Sequence, residues 1–439
     1  MKLNINELIR SDWLKEHPIS KEPSIYKEKY MTVLSYYVLK YSQKKEIPSL
    51  MLENYSKKFG VIIQLEQDIT KIKRHTKYLV ASKFNIKKFK LFSYRYSLLC
   101  DILFLNAFND EVLASDILNE FKESFNKRYH SKFERLVMLL YKTQGNKNEF
   151  QSIEYQINCW MENKFFIEKP KIDIMITATM SAGKSTLINA ITGKQLTKTA
   201  QEACTSNICR VYNKPFEDDK IHLIDESIKL DAIEQDVISR EQSKLSSIAS
   251  YYNLLIKAEK RFCIIDTPGV NSSLNSNHEK ITKKALAEES YDYLVYILNA
   301  NNLGTDDDLN YLKYISKNVP KEKVIFILNK IDIFKRKDDS IDESIGLITK
   351  DLLKLGFENP IVCPISGYFS HLIKLKMNGV ELTEDELDLF DYYEKKFSKP
   401  EFDLSKYYRK STKTTNDDRL SILATKAGIY GLENILFGG

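Results

Sequence analysis

The chain has 439 residues, of which 43% are hydrophobic and 29% charged, and this length supports two or three cores. That composition excludes wholesale disorder, and no apolar run approaches the roughly 18 residues of a membrane span. The start, MKLNINELIRSDWLKEH, lacks the apolar stretch of a signal peptide, so the expectation is a cytoplasmic protein, at most peripheral at a membrane. Six scattered cysteines form no CxxC pair, and the histidines form no cluster, which argues against disulfides and structural zinc.

The net charge of +6 is unevenly placed. Met1 to Cys100 holds 20 Lys plus Arg against 9 Asp plus Glu, leaving the remainder at about −5. Lys71 to Cys100 carries nine basic residues and no acidic one, interleaved with Tyr and Phe. Such a run suits RNA, an anionic membrane or an acidic face of the protein itself.

Before Lys171 the patterning is helical. Tyr26, Tyr30, Val33, Leu34, Tyr37 and Tyr41 recur every three or four residues, as do Phe133, Leu136, Val137 and Leu140. Gly60 and Gly145 are the only glycines there. The expectation is an all-helical, basic N-terminal domain over residues 1–165.

From Ile172 the period changes. Runs such as IDIMIT, RFCII, YLVYIL, VIFIL and IVCPIS alternate with helical stretches, which predicts a mostly parallel, doubly wound α/β sheet over 166–439. Ile208 to Tyr212 reads as an edge strand. The charged segments near 218–255 and 381–415 read as helical insertions, solvated or partner-binding. Ligands of such sheets sit beyond the carboxyl ends of the strands.

Four motifs fall at strand ends. After Ile172–Thr177 comes Ala178-Thr-Met-Ser-Ala-Gly-Lys-Ser185, the spacing of a phosphate loop opening a helix. In it Ala182, Gly183, Lys184, Ser185 and Thr186 would bind nucleotide; Lys184 would reach the β- and γ-phosphates and Ser185 a magnesium ion. Ala178 replaces the usual first glycine, which costs little if its φ is negative. Asp266-Thr-Pro-Gly269 follows RFCII, where Asp266 would hold the metal through water and the Gly269 N–H would meet the γ-phosphate. Asn329-Lys330-Ile-Asp332 follows VIFIL; an aspartate there accepts from guanine N1–H and N2–H₂, donors that adenine lacks, which makes the nucleotide GTP. Ser366-Gly367 follows IVCPIS, where a loop N–H would meet guanine O6. A switch threonine must also exist, to bridge metal and γ-phosphate: Thr205, 21 residues after Lys184, is preferred, with Thr197 and Thr199 as competitors.

SAGKS, that threonine, DTPG and the run LNANNLGTDDD together resemble the GTPase domain of the dynamin superfamily, especially its bacterial dynamin-like members. The resemblance covers Lys171 to Phe437 and includes the closing AGIYGLENIL; GTPases of the Era type share DTPG and NKxD but usually carry NVGKS. It implies Mg²⁺-dependent hydrolysis of GTP to GDP and phosphate, slow unless two GTPase domains pair across the nucleotide as a homodimer. It also implies that Ser181 and Thr205 position the attacking water, with Lys184, Asp266 and Gly269 completing the catalytic set and Ser185, Thr205 and Asp266 serving the metal. In keeping with this, Val270 stands after DTPG where Ras-like enzymes use glutamine. The chain departs from the family at Ala178 and Thr179, where two glycines are usual, and in TAQEAC, which lacks the glycines before the switch threonine. The family's long helical stalk after the GTPase domain is not expected here, so that role would fall to the N-terminal helices or to a partner subunit. The output of the cycle would be assembly, or remodelling of a membrane or partner. A GTP-dependent RNA- or ribosome-binding switch of Era type is the alternative, and a nucleotide-regulated scaffold with negligible turnover a third.

Overall fold

The computed structural model describes residues 4–42, 46–62, 70, 91–198, 207–240, 244–270, 276–335, 340–408 and 418–438. Contacts divide the chain into two units: Met1–Glu168 with Pro215–Lys220 and Ile228–Asp231, and the remainder from Lys169 to Gly439. The two short segments depart from a contiguous split.

In the first unit the described residues up to Glu168 form helices, chiefly α1 (Ile5–Leu8), α2 (Ser24–Tyr41), α3 (Glu46–Phe59), α4 (Arg95–Ala107), α5 (Glu111–Glu123), α6 (His130–Lys142) and α7 (Glu154–Glu168). Their apolar stripes pack as the periodicity requires: Tyr30, Val33, Leu34, Tyr37, Phe133, Leu136 and Leu140 are buried. At the centre lies the fully buried Asp101, accepting from Trp13 Nε1 (2.8 Å), Gln156 Nε2 (2.9 Å), His17 Nε2 (2.9 Å) and Tyr30 Oη (2.5 Å). A buried carboxylate is tolerated only when its lone pairs are filled in this way. The short segments belong here by the same kind of bond, since Ser11 Oγ donates to the Phe216 carbonyl at 2.9 Å and Lys57 pairs with Asp231 at 2.5 Å. Most of the basic run 71–100 lies outside the described residues; the part from Leu91 onward leads into α4.

The second unit is built on a sheet whose strands lie in the order β3-β5-β2-β6-β1-β7-β8-β9. These are β1 (Lys171–Ala178), β2 (Cys209–Asn213), β3 (Ile221–Ile224), β5 (Ser247–Ser250), β6 (Arg261–Asp266), β7 (Tyr293–Asn299), β8 (Val324–Asn329) and β9 (Ile361–Pro364); β4 (Ile228–Ala232), which follows β3 in sequence, falls in the first unit but for its last residue. β1 pairs in parallel with β6 and β7, and β7, β8 and β9 continue in parallel, so the sheet is mostly parallel as expected. Continuous burial of VIFILN shows why these strands read as unbroken apolar runs.

Two expectations need correction. β2 is an interior strand, antiparallel to β6 and parallel to β5, rather than an edge. Residues 218–255 are not a helical insertion: they form β3, β4, a short helix α9 (Glu234–Ser239) and β5. The charges in IHLIDESIKLDA conceal a period of two, and Asp225 Oδ1 accepts from the Ser227 N–H at 2.8 Å, turning the chain between strands. The other insertion is helical where described, as α14 (Glu384–Phe397), which follows α13 (Gly367–Met377).

Candidate nucleotide site

The phosphate loop joins β1 to helix α8 (Lys184–Thr192). Ala178 and Thr179 are absent from the described residues with positive φ, so the missing glycines impose no backbone strain. Ser181 is left-handed at φ 59°, uncommon for a serine and a mark of a loop over-determined by its neighbours. Gly183, at φ 89°, is needed twice over, since a Cβ there would lie 2.4 Å from Asn329 Nδ2. The first turn of α8 opens toward the loop, a place where backbone N–H groups favour an anion.

The DTPG turn and the residue after it are fastened to this loop and its strand by backbone and side-chain bonds together. Val270 N–H donates to the Ala178 carbonyl and Met180 N–H to the Val270 carbonyl, each at 3.2 Å. Thr267 Oγ1 donates to the Ile176 carbonyl at 2.9 Å, and Thr282 Oγ1 to that of Pro268 at 2.9 Å. Lys184 and Asp266, both buried, form an ion pair. A Cβ at Gly269 would meet Met180 Cγ at an ordinary 3.6 Å, so packing alone does not call for glycine there.

On the other side Asn329 ties the loops together. Its Nδ2 donates to the Ala182 carbonyl at 2.9 Å, and its Oδ1 accepts from Gly367 N–H at 3.0 Å. A Cβ at Gly367 would stand 2.9 Å from that same oxygen. Lys330, at φ 70°, comes near Gly183, where an added Cβ would meet its Cε at 3.9 Å. Asp332, buried, accepts from Ser366 Oγ at 2.6 Å. Burial pushes the Asp332 carboxyl up, while the Ser366 hydroxyl and the Lys396 and Lys330 ammoniums pull it back toward the charged form.

The structure thus brings Ser181, Ala182, Gly183, Lys184, Ser185, Thr186, Asp266, Gly269, Asn329, Lys330, Asp332, Ser366 and Gly367 to one end of the sheet. Thr205 and Thr199 lie outside the described residues. Thr197 is buried and points inward, its Oγ1 donating to the Ser185 carbonyl at 3.0 Å. Three contributors escaped sequence reasoning. Asn299 Nδ2 donates to the Ser181 carbonyl at 3.4 Å, and Asp308, on helix α11 (Asp306–Asn318), accepts from Thr179 Oγ1 at 2.9 Å. Both sit in the LNANNLGTDDD run, whose signal was there to be used. The third, Lys396, is one lysine in a charged helix and carried no signal.

A phosphate loop, a DTPG turn and an NKID loop at the carboxyl ends of a mostly parallel sheet define a P-loop nucleotide-binding domain of GTPase type. Residues 174–331 match the family model of the dynamin family. Relatives include an uncharacterized protein of Caldicellulosiruptor (26% identical over 54% of this chain), a probable transmembrane GTPase, FZO-like and chloroplastic, of Arabidopsis thaliana (27% over 51%) and dynamin-like protein 1 of Campylobacter jejuni (24% over 47%). The chain spans 58%, 22% and 34% of those proteins' own lengths. Among solved structures, a bacterial dynamin pair described as sensing and tethering membranes aligns over 89% of this chain and 74% of its own, at 14% identity and TM-score 0.35. Era of Aquifex aeolicus aligns over 49% of this chain and 58% of its own, at 19% identity and TM-score 0.29.

Proposed function

We propose that the protein binds GTP at this site and hydrolyses it to GDP and phosphate, slowly as a lone subunit and faster when two GTPase domains associate across the nucleotide. The observation that carries the reading is Asn329, which holds the phosphate loop and the Ser366-Gly367 loop on one side chain and so sets phosphate and base recognition at a fixed spacing. Asp332 faces the base and accepts from guanine N1–H and N2–H₂, while the Gly367 N–H, expected to meet guanine O6, instead donates to Asn329 Oδ1.

Lys184 has the central part in the chemistry. Its ammonium pairs with Asp266, and arriving β- and γ-phosphates offer it a stronger anion, which frees the carboxylate. The donor set suits a magnesium ion brought in with the nucleotide: Ser185 supplies one hydroxyl and Asp266 one carboxylate, and no cluster of three acidic, histidine or cysteine ligands exists among the described residues. Bound there, the ion would offset the charge that develops between the β- and γ-phosphates. Val270 is buried and committed to the phosphate loop, so it cannot orient water. Ser181 and Thr205 are left to do so, and with no arginine finger evident among the described residues the leaving-group charge calls for a second subunit. The RNA-binding alternative rests on the basic run alone, most of which lies outside the described residues. No described helix is long and apolar enough to cross a membrane.

The test is GTP turnover per protein over a hundredfold concentration range around micromolar, on the full chain, with light scattering in GDP and aluminium fluoride. Specific activity should rise with concentration and the mass should double with the mimic. A flat activity with no mass change removes the self-association mechanism.

A further inference from the structure

We infer that helix α14, within the stretch that looks from sequence like a solvated insertion, is the support of the guanine-reading loop, and that Lys396 is the positioning residue that sets Asp332. This rests on the GTP reading above. Lys396 is 6% exposed, an unusual place for a lysine near the end of a charged helix. Its ammonium donates to the backbone carbonyls of Asp332 (2.6 Å) and Phe334, capping the single helical turn Ile331–Ile333 that carries the aspartate. The Phe402 ring lies 4.5 Å beneath the charge and shields it from water.

The same helix holds the loop from a second direction. Phe390 and Phe397 of α14 pack on Phe369, with ring centroids 5.5 and 5.3 Å apart. Phe369 N–H donates to Ser366 Oγ, and Ser366 Oγ donates to the Asp332 carboxylate. One helix therefore fixes Asp332 through its own carbonyl and through the hydroxyl that its carboxylate accepts from. The helix is itself well formed: Thr383 and Glu386 make a capping box at its start, with Glu384 and Asp385 in the first turn. A helix that merely extended into solvent would have no need of a buried ammonium placed on two loop carbonyls.

The consequence is one of specificity. Guanine offers Asp332 two donors, N1–H and N2–H₂, whereas hypoxanthine keeps N1–H and lacks the amino group. Only an aspartate held in register can use both. Loosening α14 should therefore cost guanosine diphosphate more than inosine diphosphate, whereas general loss of structure would weaken the two alike.

The experiment is calorimetric titration of the full chain with GDP, IDP and ADP for wild type, Lys396→Met, Lys396→Arg and Phe390→Leu, folding being checked by circular dichroism. Wild type should favour GDP over IDP by about tenfold or more, the scale of one hydrogen bond to a charged group. Lys396→Met should bring that ratio within about threefold of unity by weakening GDP. Lys396→Arg keeps a cation able to reach both carbonyls and should retain most of the ratio. Phe390→Leu loosens the same helix without removing charge and should lower the ratio less, and it carries the test if Lys396→Met does not fold. An unchanged GDP to IDP ratio in the folded variants overturns the support role while leaving the guanine reading intact. A wild type that does not favour GDP over ADP overturns the guanine reading itself.

Discussion

The two halves of the site are prepared to different degrees. On the base side each group already has its partner: Asp332 is held by Ser366 and by Lys396 through its carbonyl, and Asn329 is bonded at both ends of its amide. On the phosphate side Lys184 is engaged with Asp266, a partner that nucleotide would displace, and the threonine expected to sense the γ-phosphate lies outside the described residues. The base side resembles a mould, and the phosphate side a spring held by a substitute. Binding energy from a preformed base pocket is then available to rearrange the phosphate side, which is the half that must change between GTP and GDP.

The strongest way to break this comparison is Lys184→Ala. It removes the ammonium placed for the phosphates and should lower GTP turnover by about 10²–10³-fold or more, measured as phosphate release. Wild-type turnover in that variant would place the chemistry elsewhere. Asn329→Ala attacks the link between the halves. It leaves the Ala182 carbonyl and Gly367 N–H without their partner, so it should cost about 2 kcal/mol of stability by chemical denaturation and weaken GDP and GTP together. Loss confined to one nucleotide would show that the two halves are not coupled through this amide.

Ser366→Ala sharpens the base side by a smaller amount. Burial raises the Asp332 carboxyl, and the protonated form cannot accept from both guanine donors, so GDP affinity should fall as pH drops, starting above the ordinary aspartate range. The Ser366 hydroxyl opposes that rise, and removing it should move the fall to higher pH, with a loss of a few-fold near neutrality. For the nucleotide-free protein the sign is opposite. A raised carboxyl adds stability at low pH that is lost as pH climbs through its folded value. Identical pH profiles in the two proteins would mean that Asp332 does not read the base.

The loops that meet at the carboxyl end of the sheet were legible because strand ends are punctuated by motif residues: Gly183, Lys184, Asp266, Asn329 and Asp332 stand at the spacing the fold demands. The parallel core was legible too, since IDIMIT and VIFIL are buried on both faces. What misled was charge. In IHLIDESIKLDA the polar residues alternate with apolar ones along strands, yet their density suggested a helical surface. In Glu384–Phe397 the polar count was right for a helix and wrong about its role, because one lysine among many gives no sign that it turns inward. Burial of a long cationic side chain depends on carbonyls that another part of the chain supplies, here Asp332 and Phe334, and no local pattern records that.

The most direct measurement is the nucleotide preference of Asp332→Asn. Replacing the carboxylate by an amide exchanges two acceptors for one acceptor and one donor, which suits the C2 oxygen of xanthine and not the amino group of guanine. Dissociation constants for GDP and xanthosine diphosphate, measured on wild type and variant alike, should reverse their order, with GDP weakened by about tenfold or more. Retention of the wild-type preference in a folded variant would contradict the assignment of this site to guanine nucleotides.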